Sequence, residues 1–394
     1  MMNIANFNFT RMPEIHFGPG KLSLLPQQIA RHGKNVLLVT GGASFARSDA
    51  YAHLTEALDR AGIQFFHAAV SGEPSPAFVD ATVERYRTDN IDCVVGIGGG
   101  SPIDAGKAIS AMLPQEGSVV PFLECVDTKK HDGRKLPYIA IPTSSGTGSE
   151  ATKNAVLSSI GGDGYKSSLR HDNFVPDVAL VDPELTLTCP PDVTAACGLD
   201  ALTQLLEAYV SSKASPMTDA LALSGLEHVA AGFLRAYENG GEDLAARSHM
   251  AYAALLSGIV LANAGLGVVH GFAGPIGGFF PMPHGVVCGT LIGAATRINI
   301  EALRQDPVRN RVALEKHARA GTLLAGQSAA SVESGCELLI RTLDGWIAST
   351  GIARLSAYGI SRADFPRILD KSNNKNSPVT LDRGRMQAIL EARV

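Results

Sequence analysis

Short apolar runs alternate with helix-period segments through the first half of the chain. Val36-Leu37-Leu38-Val39-Thr40, Cys93-Val94-Val95-Gly96-Ile97, Tyr138-Ile139-Ala140-Ile141 and Val178-Ala179-Leu180-Val181 are each bounded by Gly, Pro or Asp. Uninterrupted apolar runs of this length predict strands buried on both faces. Between them, Ser48 to Ala61 and Phe78 to Thr88 carry apolar residues at helical spacing. Strand and helix in alternation predict a parallel sheet covered by helices. After Val181 the strand signals stop. Cys189-Pro190-Pro191-Asp192 reads as a hinge into a helix start, since proline is accommodated in a first turn. From there to Val394 the pattern is helical, with Lys371 to Pro378 as a loop. The expectation is an α/β domain with a parallel sheet over residues 1–188, then an all-α domain over 189–394. A length of 394 residues suits two full cores.

One stretch tests that assignment. No Asp, Glu, Lys or Arg occurs from Ala251 to Thr296, and Ala251 to Val269 is long enough to span a bilayer. The segment is dominated by Ala and Gly, contains Ser257 and Asn263, and runs into Pro275, Pro281 and Pro283. Small residues of this kind let helix backbones approach closely, so a buried helix in a helical domain is expected, with no membrane partner. Lys plus Arg total 34 against 38 Asp plus Glu, a formal charge of -4 with no basic run, which gives no footprint for nucleic acid. Met1 to Phe7 has no basic segment followed by an apolar block, so no secretory signal is expected. Six cysteines without CxxC spacing read as reduced thiols in the cytoplasm.

Candidate chemistry falls in two groups. The run Cys93 to Ile97 leads into Gly98-Gly99-Gly100-Ser101-Pro102-Ile103-Asp104, followed by a helix from Pro102 to about Met112. Glycines at the carboxyl end of a parallel strand let a pyrophosphate approach the backbone, and the next helix offers N–H groups and a positive dipole end. A glycine triplet by itself is more often a plain turn. A second loop, Pro142-Thr143-Ser144-Ser145-Gly146-Thr147-Gly148-Ser149-Glu150, could line the same ligand or simply connect. In the second group, Asp200 and Gln204 stand four apart on one helix face, with His270 and His284 downstream in the uncharged stretch. A carboxylate and two imidazoles are ordinary ligands for a divalent transition metal, and an amide oxygen is a weak neutral one. Taken singly, each would read as a solvated helix face or a hydrogen-bonded core histidine.

In combination these segments, with Lys107, Asp182-Pro183-Glu184-Leu185-Thr186 and His284-Gly285, resemble the iron-containing (group III) alcohol dehydrogenase family along nearly the whole chain. The resemblance implies a Rossmann-like N-terminal domain, a helical C-terminal domain, and a cleft holding NAD(P) and one divalent metal, Fe2+ or Zn2+. It implies that Gly98, Gly99, Gly100 and Ser101 hold the pyrophosphate with Asp104 beside them. Thr143, Thr147 and Gly148 would face the nicotinamide, and Lys166 would contact the cofactor. Asp200, His270 and His284 match three metal ligands. The family's usual second ligand, a histidine four residues after the aspartate, is here Gln204, whose amide oxygen would hold the metal weakly. A further histidine four residues beyond His270 is here Gly274. The implied activity is hydride transfer between the nicotinamide and a small alcohol or carbonyl compound, in an assembly of two or more subunits. Related branches, such as maleylacetate reductases and sugar-phosphate cyclases, keep a metal-independent reductase or an NAD-using cyclase or lyase as alternatives. A non-catalytic dinucleotide-binding protein is a third.

The strand at Val36 ends in Gly41, where dinucleotide folds selective for NAD(H) commonly carry an acidic residue on the adenosine ribose. NADP(H) is therefore the expected preference. Gly41→Asp should lower the ratio of kcat/KM for NADPH over NADH by about tenfold or more, because a carboxylate facing a 2′-phosphate costs at least about 1.4 kcal/mol. An unchanged ratio would remove Gly41 from cofactor selection.

Overall fold

The computed structural model describes residues 6–394, and the Met1–Ala5 part of the segment read above for a secretory signal lies outside them. The chain divides into two compact units. One comprises Thr10–Ser159 with Lys166–Cys189; the other is Pro190–Val394 with Ile160–Tyr165 and the described residues before Thr10.

The first unit is built on eight strands: β1 (Glu14–Phe17), β2 (Asn35–Gly41), β3 (Gln64–Val70), β4 (Cys93–Gly98), β5 (Tyr138–Pro142), β6 (Asn154–Ser159), β7 (Tyr165–Arg170) and β8 (Val178–Val181). Six of them form one sheet in the order β1-β8-β5-β4-β2-β3, every pair parallel. β6 and β7 pair separately. The four apolar runs are the interior strands β2, β4, β5 and β8. β4 and β5 are buried at every position, so no polar alternation marks them. The sequence pattern missed β1 and β3, the sheet's edges, where Glu14-Ile15-His16-Phe17 and Gln64-Phe65-Phe66-His67-Ala68-Ala69-Val70 are largely half-exposed and mix polar with apolar residues. Helices α1 (Leu25–Ala30), α2 (Asp49–Arg60), α3 (Pro76–Tyr86) and α4 (Gly100–Met112) connect the early strands. Ser48 and Ser75 cap α2 and α3 through their hydroxyls. From β2 the chain first builds outward to β3, then crosses to β4 on the other side. The strand order therefore reverses between β2 and β4, where open parallel sheets leave a crevice at the strands' carboxyl ends.

α4 lies directly on β4. A side chain at Gly96 would strike the Tyr138 hydroxyl and approach Pro102 O at 3.2 Å, and one at Gly106 would meet the Tyr138 ring at 3.0 Å. Two bare positions let helix and strand touch, and Tyr138 Oη donates to Ile103 O at 2.6 Å across the contact. One turn on, Lys107 is fully buried, and its ammonium donates to Ser149 O (2.8 Å), Thr152 Oγ1 (3.1 Å) and Asn154 O (2.8 Å). Three acceptors match the three donors of a charged lysine. Burial pulls its pKa down to about 8, with Asp104 and Glu150 opposing.

The second unit is helical: α5 (Pro191–Tyr209), α6 (Pro216–Asn239), α7 (Leu244–Ala264), α8 (Val268–Phe279), α9 (His284–Leu303), α10 (Arg311–Ala325), α11 (Val332–Thr350), α12 (Phe365–Lys371) and α13 (Arg383–Glu391). α7 and α9 are long and apolar enough to cross a membrane, but 67% and 72% of their apolar windows are buried inside the protein. The stretch Ala251 to Val269, expected as one helix, is two. α7 ends at Ala264, and Gly265 takes a φ of +67° before α8 begins at Val268. Asn376 donates to Leu266 O at 3.2 Å, so the loop after α12 secures this break.

Burial raises the pKa of Glu150 from 4.5 to about 7. The folded chain then keeps this proton over a range where the unfolded chain has lost it, so the contribution is present below the unfolded value and declines as pH rises from 4.5 to 7. Glu150→Gln should remove that decline. The stability of the variant relative to the parent, from denaturant titrations at pH 4.5 and 7.5, should rise by about 1–3 kcal/mol over the interval. A pH-independent difference would mean that Glu150 titrates in the fold as it does in the unfolded chain.

Candidate active site

The nucleotide-type loops gather at one sheet edge. Gly41 ends β2, Gly98 ends β4 and Pro142 ends β5, and these are neighbouring strands in parallel register. Gly98 has a φ of +149°, and a side chain there would press on Pro102 Cγ at 2.5 Å. Thr143 N donates to Gly98 O at 2.9 Å, tying the second loop to the first. A Cβ on Gly100 would lie 2.8 Å from Thr147 Cγ2, and one on Gly99 would lie 3.3 Å from Ser144 Oγ. Gly148 is left-handed at φ +62°, and Ser149 N donates to Thr147 Oγ1 at 3.3 Å. Gly99 at the N-cap of α4 offers no side chain, so the first-turn amides of Gly100 and Ser101 are left for an anion.

Two expected cofactor residues have partners inside this unit. Asp104 is buried and accepts from Val156 N at 3.1 Å, holding β6 to α4; burial raises its pKa while the Lys107 charge opposes. Lys166 pairs with Glu73 at 2.9 Å and lies close enough to Asp104 for its charge to act there. At Gly41 the backbone is not left-handed, and a Cβ would make an ordinary 3.5 Å contact with Pro102. A side chain can therefore begin there without backbone strain or a clash at its Cβ.

The second group forms in the helical unit. α5 carries Asp200, Gln204 and Glu207 at spacings of four and three, on one face. α8 carries His270 in its first turn, and α9 carries His284 at its start with Cys288 one turn on. Close approach of α9 to α5 depends on glycine. A Cβ on Gly285 would sit 2.5 Å from Ala196 O, and one on Gly289 would sit 2.8 Å from Leu199 Cδ1. Four donors converge as a result: one ligand atom each from Asp200, His270, His284 and Cys288, all within 4.8 Å of one another. Asp200 Oδ1 lies 3.4 Å from His270 Nε2 and 3.6 Å from His284 Nε2. This oxygen is buried and has no hydrogen-bond partner among the described residues. Burial would raise the Asp200 pKa, but the His284 and His270 imidazoles outweigh it and hold it down to about 2. An ionised, orphaned oxygen aimed at two imidazole nitrogens fits a divalent cation.

Glu207 supports this cluster from behind. Its Oε2 is 2.7 Å from His270 Nδ1, which leaves Nε2 directed at Asp200. Its Oε1 accepts from Val269 N at 2.7 Å, capping an α8 that has no capping side chain at Gly267. Gln204 is engaged elsewhere, its Oε1 accepting from the buried Ser257 hydroxyl at 2.8 Å.

Residues 13–183 match the iron-containing alcohol dehydrogenase family, and residues 194–394 match the C-terminal part of the Fe-containing alcohol dehydrogenase family. The chain belongs to the iron-containing alcohol dehydrogenase family. It is 30% identical to the NADPH-dependent butanol dehydrogenase of Clostridium saccharobutylicum over 97% of each chain. Long-chain-alcohol dehydrogenase 1 of Geobacillus thermodenitrificans is 37% identical over 72% of this chain and 71% of its own. A crystal structure of 1,3-propanediol oxidoreductase superposes with a TM-score of 0.88 at 30% identity, covering 99% of this chain and 100% of that one. The chain is thus an alcohol dehydrogenase of this family, which implies NAD(P) and a divalent metal.

Glu207 and Cys288 escaped the sequence analysis. Helical spacing could have found both, since Glu207 stands seven residues after Asp200 and Cys288 four after His284. Replacing Glu207 by Gln keeps an acceptor for Val269 N while removing the charge behind His270. Such support of a metal-ligating imidazole is commonly worth 10–100-fold in affinity. Glu207→Gln should weaken zinc binding by about that factor in chelator competition. A change under about threefold would show that the Glu207 charge has no influence on His270 as a ligand.

Proposed function

We propose that this enzyme catalyses reversible hydride transfer between NADP(H) and a small aliphatic aldehyde or alcohol, with Asp200, His270 and His284 holding a divalent metal. The observation that carries this reading is the convergence of Asp200 Oδ1 on the two Nε2 atoms, with that oxygen lacking a hydrogen-bond partner among the described residues. When bound, the metal would act as a Lewis acid on the substrate oxygen, and the nicotinamide would carry the hydride. The chain's own groups do the rest. Gly100 and Ser101 offer uncapped amides to the pyrophosphate, and Gly98 and Gly99 clear its approach. Glu207 keeps His270 in the tautomer whose Nε2 can donate a lone pair.

Gly274 lies one turn beyond His270, and a Cβ built there meets nothing within 4 Å. That open position supports a site with room for a substrate chain and without an imidazole for proton relay. Preference for the phosphorylated cofactor is supported by Gly41 and by the full-length relative that uses NADPH. The six cysteines form no disulfide among the described residues, which supports residence in the cytoplasm.

Purified enzyme should oxidise one NADPH for each aldehyde reduced across a panel of straight-chain aldehydes. His270→Ala and His284→Ala should each lower kcat/KM by about a thousandfold, the several kcal/mol that a Lewis acid contributes. NADPH dissociation constants, read by fluorescence, should change little. Full turnover in both variants would overturn the metal-assisted reading in favour of a metal-independent reductase. Product formation without net NADPH consumption would favour a cyclase or lyase.

A further inference from the structure

We propose that Cys288, as a thiolate, is the fourth protein ligand of this metal site, and that Gln204 is not a ligand. The inference rests on the metal reading above and deepens it. The geometry is that of a tetrahedron. With bonds of about 2.3 Å to sulfur and about 2.0–2.1 Å to nitrogen or oxygen, a tetrahedral ion separates S from N by about 3.6 Å and N from O by about 3.3 Å. Cys288 Sγ lies 3.6 Å from His270 Nε2 and 3.7 Å from His284 Nε2. The two nitrogens lie 3.4 and 3.6 Å from Asp200 Oδ1. Four of the six edges of the cluster therefore match a tetrahedral ion, and all four ligand atoms lie within 4.8 Å of one another.

Asp200 is 1% exposed and Cys288 is fully buried, while the His284 side chain keeps 26% exposure and leaves the cluster open on that side. One carboxylate, one thiolate and two neutral imidazoles would neutralise a 2+ ion within its own ligand set. The Gln204 amide oxygen stands 2.8 Å from the hydroxyl of the fully buried Ser257, which lies 2.7 Å from Ala254 O as well. A thiolate softens the donor set, which moves metal preference toward zinc over iron. On binding, the thiol proton is released to solvent as the Cys288 S–metal bond forms.

Cobalt(II) reports a thiolate ligand directly. The full-length enzyme, stripped of metal and titrated with cobalt chloride without oxygen, should take up one equivalent. It should then show a thiolate-to-cobalt charge-transfer band in the near ultraviolet, with the intense visible bands of a four-coordinate ion. Cys288→Ser and Cys288→Ala should lose the near-ultraviolet band, and zinc affinity should fall by about 100-fold. Gln204→Leu should keep the band, with zinc affinity within about threefold of the parent. One equivalent bound by the parent without the band would overturn Cys288 as ligand while leaving the metal reading intact. Cys288 is equally overturned if the band survives in both of its variants or disappears in Gln204→Leu. A parent that binds no cobalt, or a His270→Ala variant that binds it as tightly as the parent, would overturn the metal reading itself, and Cys288 with it.

Discussion

A carboxylate sealed from water at 1% exposure, with one oxygen lacking any hydrogen-bond donor among the described residues, is the demand around which the helical unit is organised. Left unpaired, such a charge costs several kcal/mol. Here the imidazoles of His270 and His284 stand at 3.4 and 3.6 Å, near enough to keep Asp200 ionised and far enough to admit an ion among them. α5 answers this demand twice on one face. Asp200 supplies the charge, and Glu207, two turns on, fixes His270 and caps the start of α8 with the same carboxylate. Loss of Glu207 would therefore disturb the His270 imidazole and a helix end together, which ties site geometry to local stability.

Bringing three helices this close requires backbone contact, and that explains the composition of the uncharged stretch. Gly285 and Gly289 remove the side chains that would hold α9 away from α5, and Gly265 bends the chain sharply enough to start α8 at the cluster. At the buried positions of that stretch the end of a charged side chain could not reach water. Apolarity that resembles a membrane span is thus the mark of a dense interior holding a small polar centre.

The α/β unit follows the same logic with different materials. Fully buried interior strands set their carboxyl ends side by side, and Gly41, Gly98 and the Thr143–Gly148 loop share one edge as a consequence. Beneath that edge the Lys107 ammonium ties α4 to residues 149–154 by three hydrogen bonds. The outward-facing glycines can stay bare because this buried polar knot, with the Gly96–Gly106 contact at Tyr138, carries the rigidity. Asp104 belongs to the knot, in contact with β6 and Lys107.

Several features are local, and the residues determined them unaided. The interior strands, the Ser-capped helices, the proline start of α5 and the glycine-rich turn depend on runs, spacings and caps within a few residues. Asp200, His270 and His284 were legible as ligand types from their chemistry and from the family resemblance. Edge strands β1 and β3 were not, since their half-exposed positions lack a distinctive period and gain identity from the neighbour they pair with. Gly265 broke a uniform apolar run for a reason visible only in its backbone conformation. A further matter is which side chains meet at the cluster. Spacing along α5 places Gln204 on the face of Asp200, and its amide oxygen stands 2.8 Å from the Ser257 hydroxyl that α7 presents. Cys288, an ordinary buried thiol in the sequence, meets both imidazoles because two glycines let α9 press against α5. Ligand type is a property of a residue, whereas ligand distance is a property of the packing, and only the tertiary structure could decide it.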